Sequence, residues 1–223
     1  MSQPIRLPSC DAAFAPSARP GPGVVVLHEW WGLNNELRGH VDRLAEEGIT
    51  AIAPNLYDVE ATADPAVARG LSQAMKTGEA MRRVAEAVAY LRAQPGHNGK
   101  IGVMGFCLGG VMSFAAACTL EGLDAVAPFY GGAPVAPFND WSRVKAPIQG
   151  HFGALDPIIP VERVQALREA LAAAGAKAVL HIYEGAGHAF MRQGDPSAFH
   201  ALSAASAAAR LRAFFAQHLT HPF

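Results

Sequence analysis

A cysteine set between glycines carries the first chemical signal. Gly105-Phe106-Cys107-Leu108-Gly109-Gly110 follows the apolar run Ile101–Met104 and leads into Val111-Met112-Ser113-Phe114 and an alanine-rich stretch. The order is strand, G-x-C-x-G, helix. A turn this sharp forces residue 107 into a strained backbone conformation, and the flanking glycines relieve the crowding. The thiol then stands at the carboxyl end of the sheet, where open α/β sheets bind ligands. It also sits at a helix N-terminus, whose dipole and free amides stabilise a thiolate. The Leu108 N–H is aimed to help bind an oxyanion. The implied chemistry is nucleophilic attack on an acyl carbon. Cys10 and Cys118 have no such setting, and Cys118 reads as a small buried hydrophobe inside a helix.

A nucleophile in this position requires an acid and then a histidine downstream, each just past a strand. Asp156 follows the run Ile148–Phe152, and His188 follows Val179–Tyr183 across the loop Glu184-Gly185-Ala186-Gly187. Asp156 would fix the tautomer and orientation of His188, which would serve as the base. Alone, Asp156 could cap the next helix and His188 could equally be a surface residue. Their shared order and positions favour a triad with Cys107. His28, His151 and His181 lie in or beside strands and fit the pattern less well. His40, His97, His200, His218 and His221 read as surface or terminal residues. No histidines or acids show metal-ligand spacing, so neither a metal nor another cofactor is expected.

The elements that must hold these groups alternate along the chain. Strands are expected at Val24–Leu27, Ile49–Ala53, Ile101–Met104, Ala125–Phe129, Ile148–Phe152 and Val179–Tyr183. Helices are expected near Glu36–Glu47, Glu79–Gln94, Leu108–Leu120, Val161–Ala174 and Ala198–His218. Strands apolar through their length, alternating with helices, imply a mostly parallel sheet covered on both faces. Gly48 and Gly175 are placed to end helices, and Asn98-Gly99 signals a turn before the third strand. Tyr57–Thr77, helical near Ala66–Met75, either covers the mouth of the site or is a plain crossover.

The 223 residues suit one domain, expected to span 1–223. A net charge of −1, with both signs scattered, leaves no footprint for nucleic acid or an anionic membrane surface. No apolar run is long enough to cross a bilayer, and Met1–Pro22 lacks the pattern of a secretory signal. Three cysteines make no disulfide framework, so a reducing, cytoplasmic compartment is expected.

With the elbow, acid and base placed, the chain resembles the dienelactone hydrolase (carboxymethylenebutenolidase) family from about Val24 onward. The likeness rests on Leu27-His28-Glu29-Trp30-Trp31-Gly32, Pro54-Asn55-Leu56-Tyr57, the cysteine elbow, and Gly187-His188-Ala189-Phe190-Met191-Arg192. It implies an α/β-hydrolase fold without an inserted lid domain. It also implies that Glu29 holds the resting thiol protonated until substrate swings the carboxylate to take the proton. An exposed loop glutamate is the plain alternative. The resemblance makes the Trp30 amide the second oxyanion donor beside Leu108. It gives Arg192 the substrate carboxylate, with Arg69 as a second arginine. Tyr130 either lines the pocket or closes a core strand.

Two departures from the family pattern stand out. Residues 1–22 are proline-rich, and an irregular segment is expected where relatives usually carry a β-hairpin. Trp30 and Trp31 replace smaller apolar groups beside the oxyanion site. The expected activity is opening of a small carboxylate-bearing lactone, with general small-ester hydrolysis as the alternative. The expected partner is that small molecule alone, in a monomer or small homo-oligomer.

Overall fold

A computed structural model describes residues 1–220, so His221 lies outside the described residues. The chain runs β1 (Gln3–Arg6), β2 (Asp11–Ala15), β3 (Gly21–Leu27), α1 (Asn35–Glu46), β4 (Thr50–Pro54), α2 (Pro65–Ala74), α3 (Thr77–Arg92) and β5 (His97–Phe106). It continues through α4 (Leu108–Thr119), β6 (Ala125–Phe129), β7 (Ile148–Gly153), α5 (Val161–Ala173), β8 (Ala178–Tyr183) and α6 (Ala201–Leu219). One eight-stranded sheet has the order β1-β2-β4-β3-β5-β6-β7-β8. From β4 to β8 every pairing is parallel, and β1 and β2 add antiparallel at one edge. This is the α/β-hydrolase architecture.

Side-chain alternation along the strands feeds two cores. Val25, Leu27, Ile52 and Val103 point to one face, where α3, α4 and α5 pack with Val84, Leu91, Phe114 and Leu167. Val24, Val26, Ala51 and Met104 point to the other, against Leu37, Val41, Leu211 and Phe215 of α1 and α6. Strands buried on both faces explain why their sequences are apolar throughout. Gly48 and Gly175 end α1 and α5 at φ of 92° and 72°, the left-handed conformation that needs no Cβ. No helix among the described residues is long and apolar enough to cross a membrane.

Residues 1–22 correct the sequence expectation. They form the hairpin that relatives carry, with Ala13 of β2 opposite Ala53 of β4 and Gln3–Arg6 as the outermost strand. Proline and alanine are poor strand formers, so composition argued against it. Pro4 is nevertheless tolerated on the edge strand, and Ala12–Ala15 become buried once the edge of β4 supplies partners. The Asn98-Gly99 signal also falls differently. It lies inside β5, with Gly99 at φ 86°, where the β3–β5 register shifts.

Candidate active site

Cys107 stands between β5 and α4 at φ 52°, ψ −111°. Its N–H donates to the Phe129 carbonyl at 3.0 Å, tying the elbow to β6. Tyr130 (φ 38°) and Ala189 (φ 59°) are the other non-glycine residues with positive φ among the described residues, and both flank His188. Backbone strain is concentrated where the candidate chemistry lies, as strained residues are in many active sites.

The glycines of the elbow are required by contact. A Cβ on Gly109 would fall 2.2 Å from the Leu27 carbonyl oxygen and 2.8 Å from that of His28. Only glycine lets the first turn of α4 press against the end of β3, which carries Glu29 and Trp30. Gly109→Ala should therefore destabilise the fold by about 1–3 kcal/mol, the usual cost of overpacking, as read by urea denaturation. An unchanged midpoint would show that the two backbones can separate freely.

The Asp156 and His188 loops are stitched together. Leu155 N–H donates to Ala186 O at 2.9 Å, and Gly153 lies so close that a Cβ there would meet Ala186 O at 2.4 Å. Asp156 is 3% exposed. Its Oδ1 accepts from the N–H groups of Ile158 and Ile159 at 2.7 and 2.9 Å, and its Oδ2 is 2.7 Å from His188 Nδ1. Asp156 therefore does not cap the next helix, since α5 begins at Val161 behind Pro160 with no side-chain cap. One of its oxygens closes a turn in the loop and the other meets His188. The His188 Nε2 is buried and faces Cys107 in a contact looser than a full hydrogen bond. Such looseness is common before substrate binds. Burial lowers the His188 pKa, but Asp156 and the Cys107 sulfur outweigh it and raise it from 6.5 to about 10. Burial opposes ionisation of Asp156 as well, and the bonds from His188, Ile159 and Ile158 hold its pKa below 3.8.

Glu29 is placed at the cleft, with its carboxylate turned to Arg192, 3.3 Å away, rather than to the thiol. Burial pushes its pKa up, against the opposing influence of Arg192, His188 and Tyr130. Arg192 also pairs with Asp195 and lies over the Trp31 ring, 5.5 Å from its centroid. Tyr130 both closes the core end of β6 and faces the site, with its ring edge-on to His188 at 5.1 Å. Leu108 is the first residue of α4, and Trp30 follows Glu29 in the turn after β3. Arg69 is exposed on α2 and does not line the cavity behind Glu29 and Arg192.

The comparisons with known proteins agree with this fold. The sequence profile of the dienelactone hydrolase family matches residues 11–219. The chain belongs to the dienelactone hydrolase family. The carboxymethylenebutenolidase of Pseudomonas putida is 34% identical over 213 residues, covering 91% of this chain and 88% of its own. Protein usf of Aquifex pyrophilus is 31% identical, covering 90% of each chain. A provisionally named dienelactone hydrolase of Klebsiella pneumoniae superposes with a TM-score of 0.88 at 29% identity, over 98% of this chain and 99% of the other. Membership makes this chain a hydrolase acting on carboxylic esters.

Within this family fold, sequence reading passed over several residues of the cleft. Asp195 anchors Arg192 and was hidden in a loop without a motif. His40, read as a surface residue, is instead half-buried, lies tilted against Phe106 with ring centroids 4.4 Å apart and has its pKa lowered by burial to about 3. Its place on α1 one turn before Leu44 was the available signal. His28, set aside as a strand histidine, is fully buried directly behind Glu29.

Proposed function

We propose that this hydrolase opens a small lactone bearing a carboxylate, using Cys107 as nucleophile, His188 as base and Asp156 as its orienting acid. The observation that carries this reading is the convergence of Cys107, the Asp156–His188 pair at 2.7 Å, and Arg192 at one end of the sheet. Cys107 gives its proton to His188, and the thiolate adds to the lactone carbonyl. The N–H groups of Leu108 and Trp30 hold the resulting oxyanion. Collapse breaks the ring C–O bond, and the departing enolate, tethered through the thioester, takes the proton back from His188. His188 then takes a proton from water, which cleaves the thioester and restores the thiol. Glu29, paired with Arg192, is poised to exchange that partner when a substrate carboxylate claims the guanidinium.

General small-ester hydrolysis is the second reading. It draws on Trp30 beside Trp31 and on an Arg192 already engaged by two carboxylates. All strands join one sheet and no lid interrupts the spans between Cys107, Asp156 and His188, which favours a single domain acting on small substrates. A reducing cytoplasm fits a working thiol.

The test is a spectrophotometric comparison of cis- and trans-dienelactone with p-nitrophenyl acetate. Dienelactone opening is expected to dominate kcat/KM, and acetate turnover alone would replace the lactone reading with the second. In Arg192→Leu, the dienelactone-to-acetate ratio of kcat/KM should fall about tenfold or more, the worth of a charge-assisted hydrogen bond. An unchanged ratio would remove Arg192 from substrate recognition.

A further inference from the structure

The peptide that carries the Trp30 amide is gripped from behind by a histidine outside the triad. His28 directly follows β3 and is fully buried, with both ring nitrogens facing backbone. Its Nε2 lies 2.9 Å from Leu56 N. An amide N–H only donates, so Nε2 is the acceptor and the ring proton sits on Nδ1. Nδ1 is 2.6 Å from the Glu29 carbonyl oxygen, which only accepts. The two contacts therefore determine the tautomer without ambiguity. Burial lowers the pKa of the ring to about 4, which keeps it in the neutral form both contacts need.

The consequence follows from peptide planarity. Glu29 C=O and Trp30 N–H belong to one trans peptide unit and point in opposite directions. Holding the carbonyl toward His28 turns the Trp30 N–H away from it. Gly109 presses on the carbonyls of Leu27 and His28, so the elbow packs directly against this strand end. The Gly32 N–H adds a second bond to Glu29 O at 3.2 Å. One residue on, the Tyr57 hydroxyl donates to the Trp30 carbonyl at 3.1 Å and restrains the next peptide. Leu56 and Tyr57 share a loop that buried Arg83 clamps, through Asn55 O at 3.3 Å and an ion pair with Asp58.

We propose that His28, seconded by Tyr57, is the positioning residue of the oxyanion hole, holding the Glu29–Trp30 peptide so that the Trp30 N–H faces the reacting carbonyl. Loss of this hold lets the peptide rotate and present its carbonyl, which repels an oxyanion. The inference rests on the proposed roles of Cys107 and Trp30.

The experiment compares two reactions of the same thiol in wild type, His28→Leu, His28→Asn, Tyr57→Phe and Cys107→Ala. Hydrolysis of p-nitrophenyl acetate passes through an oxyanion, whereas alkylation by iodoacetamide displaces iodide at a saturated carbon and forms none. His28→Leu is expected to lower kcat by roughly ten- to a hundredfold, less than or up to the loss of a whole donor. Its KM and its alkylation rate should stay within about twofold of wild type if the thiol and binding are intact. His28→Asn, whose amide N–H can occupy the Nδ1 position, should recover most of that kcat. Tyr57→Phe should lower kcat several-fold with alkylation unchanged. Parallel loss of hydrolysis and alkylation, or full kcat in His28→Leu, overturns the proposal. Should His28→Leu fail to fold, full kcat in Tyr57→Phe overturns it instead. Cys107→Ala separates the two levels: turnover surviving there defeats the site reading itself, whereas a dead Cys107→Ala beside a fully active His28→Leu defeats only this inference.

Discussion

Cys107→Ala should lose ester and lactone turnover by at least ~10⁴-fold in kcat, in line with removal of the nucleophile from other triads. The loss is so large because the remaining groups cannot substitute for a covalent step. His188 would still be oriented by Asp156, and the Leu108 and Trp30 amides would still be free to polarise a carbonyl. The Tyr57 and Tyr130 hydroxyls near the elbow are held protonated by burial, which raises their pKa and leaves them poor nucleophiles. Alanine meets the same left-handed φ of 52° with a side chain no larger than that of cysteine, so the turn itself survives. Stability is expected to change by less than about 1 kcal/mol, which separates a chemical loss from an unfolded one. The check is turnover of p-nitrophenyl acetate and dienelactone, with circular dichroism confirming the fold. Activity retained in the variant would require another nucleophile and end the cysteine reading.

The sequence marks those parts of the candidate site whose signal is local. The elbow is legible because strand, two glycines and helix lie within ten residues. Asp156 and His188 are legible because each follows a strand at its carboxyl end. The N-terminal hairpin was not, because its Ala12–Ala15 strand acquires its identity only from the exposed edge of β4. The same holds for the support of the site. His28 looks like one more strand residue until Leu56, 28 positions away, is seen donating to it. Tyr57 looks like a loop aromatic until its hydroxyl reaches Trp30. The sequence shows which groups can react, but the groups that aim them act through backbone carbonyls and amides, which carry no side-chain signature. Arg69 is the converse. The resemblance assigned it a role, whereas α2 leaves it exposed to solvent.

Asp156→Asn is expected to lower kcat by about 10³–10⁴-fold, with a pH signature in stability as well. The amide oxygen of asparagine must stay with the Ile158 and Ile159 N–H groups, since those two donors cannot face an NH₂ group. The amide nitrogen is then turned toward His188 Nδ1, which has to accept. The ring proton moves to Nε2, the position that should receive the proton of Cys107, and the base is blocked. The stability effect has a definite sign. His188 has a pKa raised from 6.5 to about 10, so its pairing stabilises the fold fully below pH 6.5 and less and less as pH climbs through 10. Asp156 has a pKa held below 3.8, so its share is present above that pH and disappears as pH falls through the lowered value. Both contributions coexist between about pH 4 and 6.5. Loss of a buried charged hydrogen bond costs about 2 kcal/mol, or on the order of 5 °C in Tm for a chain of this length. Thermal melts of wild type and Asp156→Asn should therefore differ most near pH 5.5 and converge toward pH 10. A gap that widens with rising pH would mean that His188 is not held as an imidazolium by Asp156.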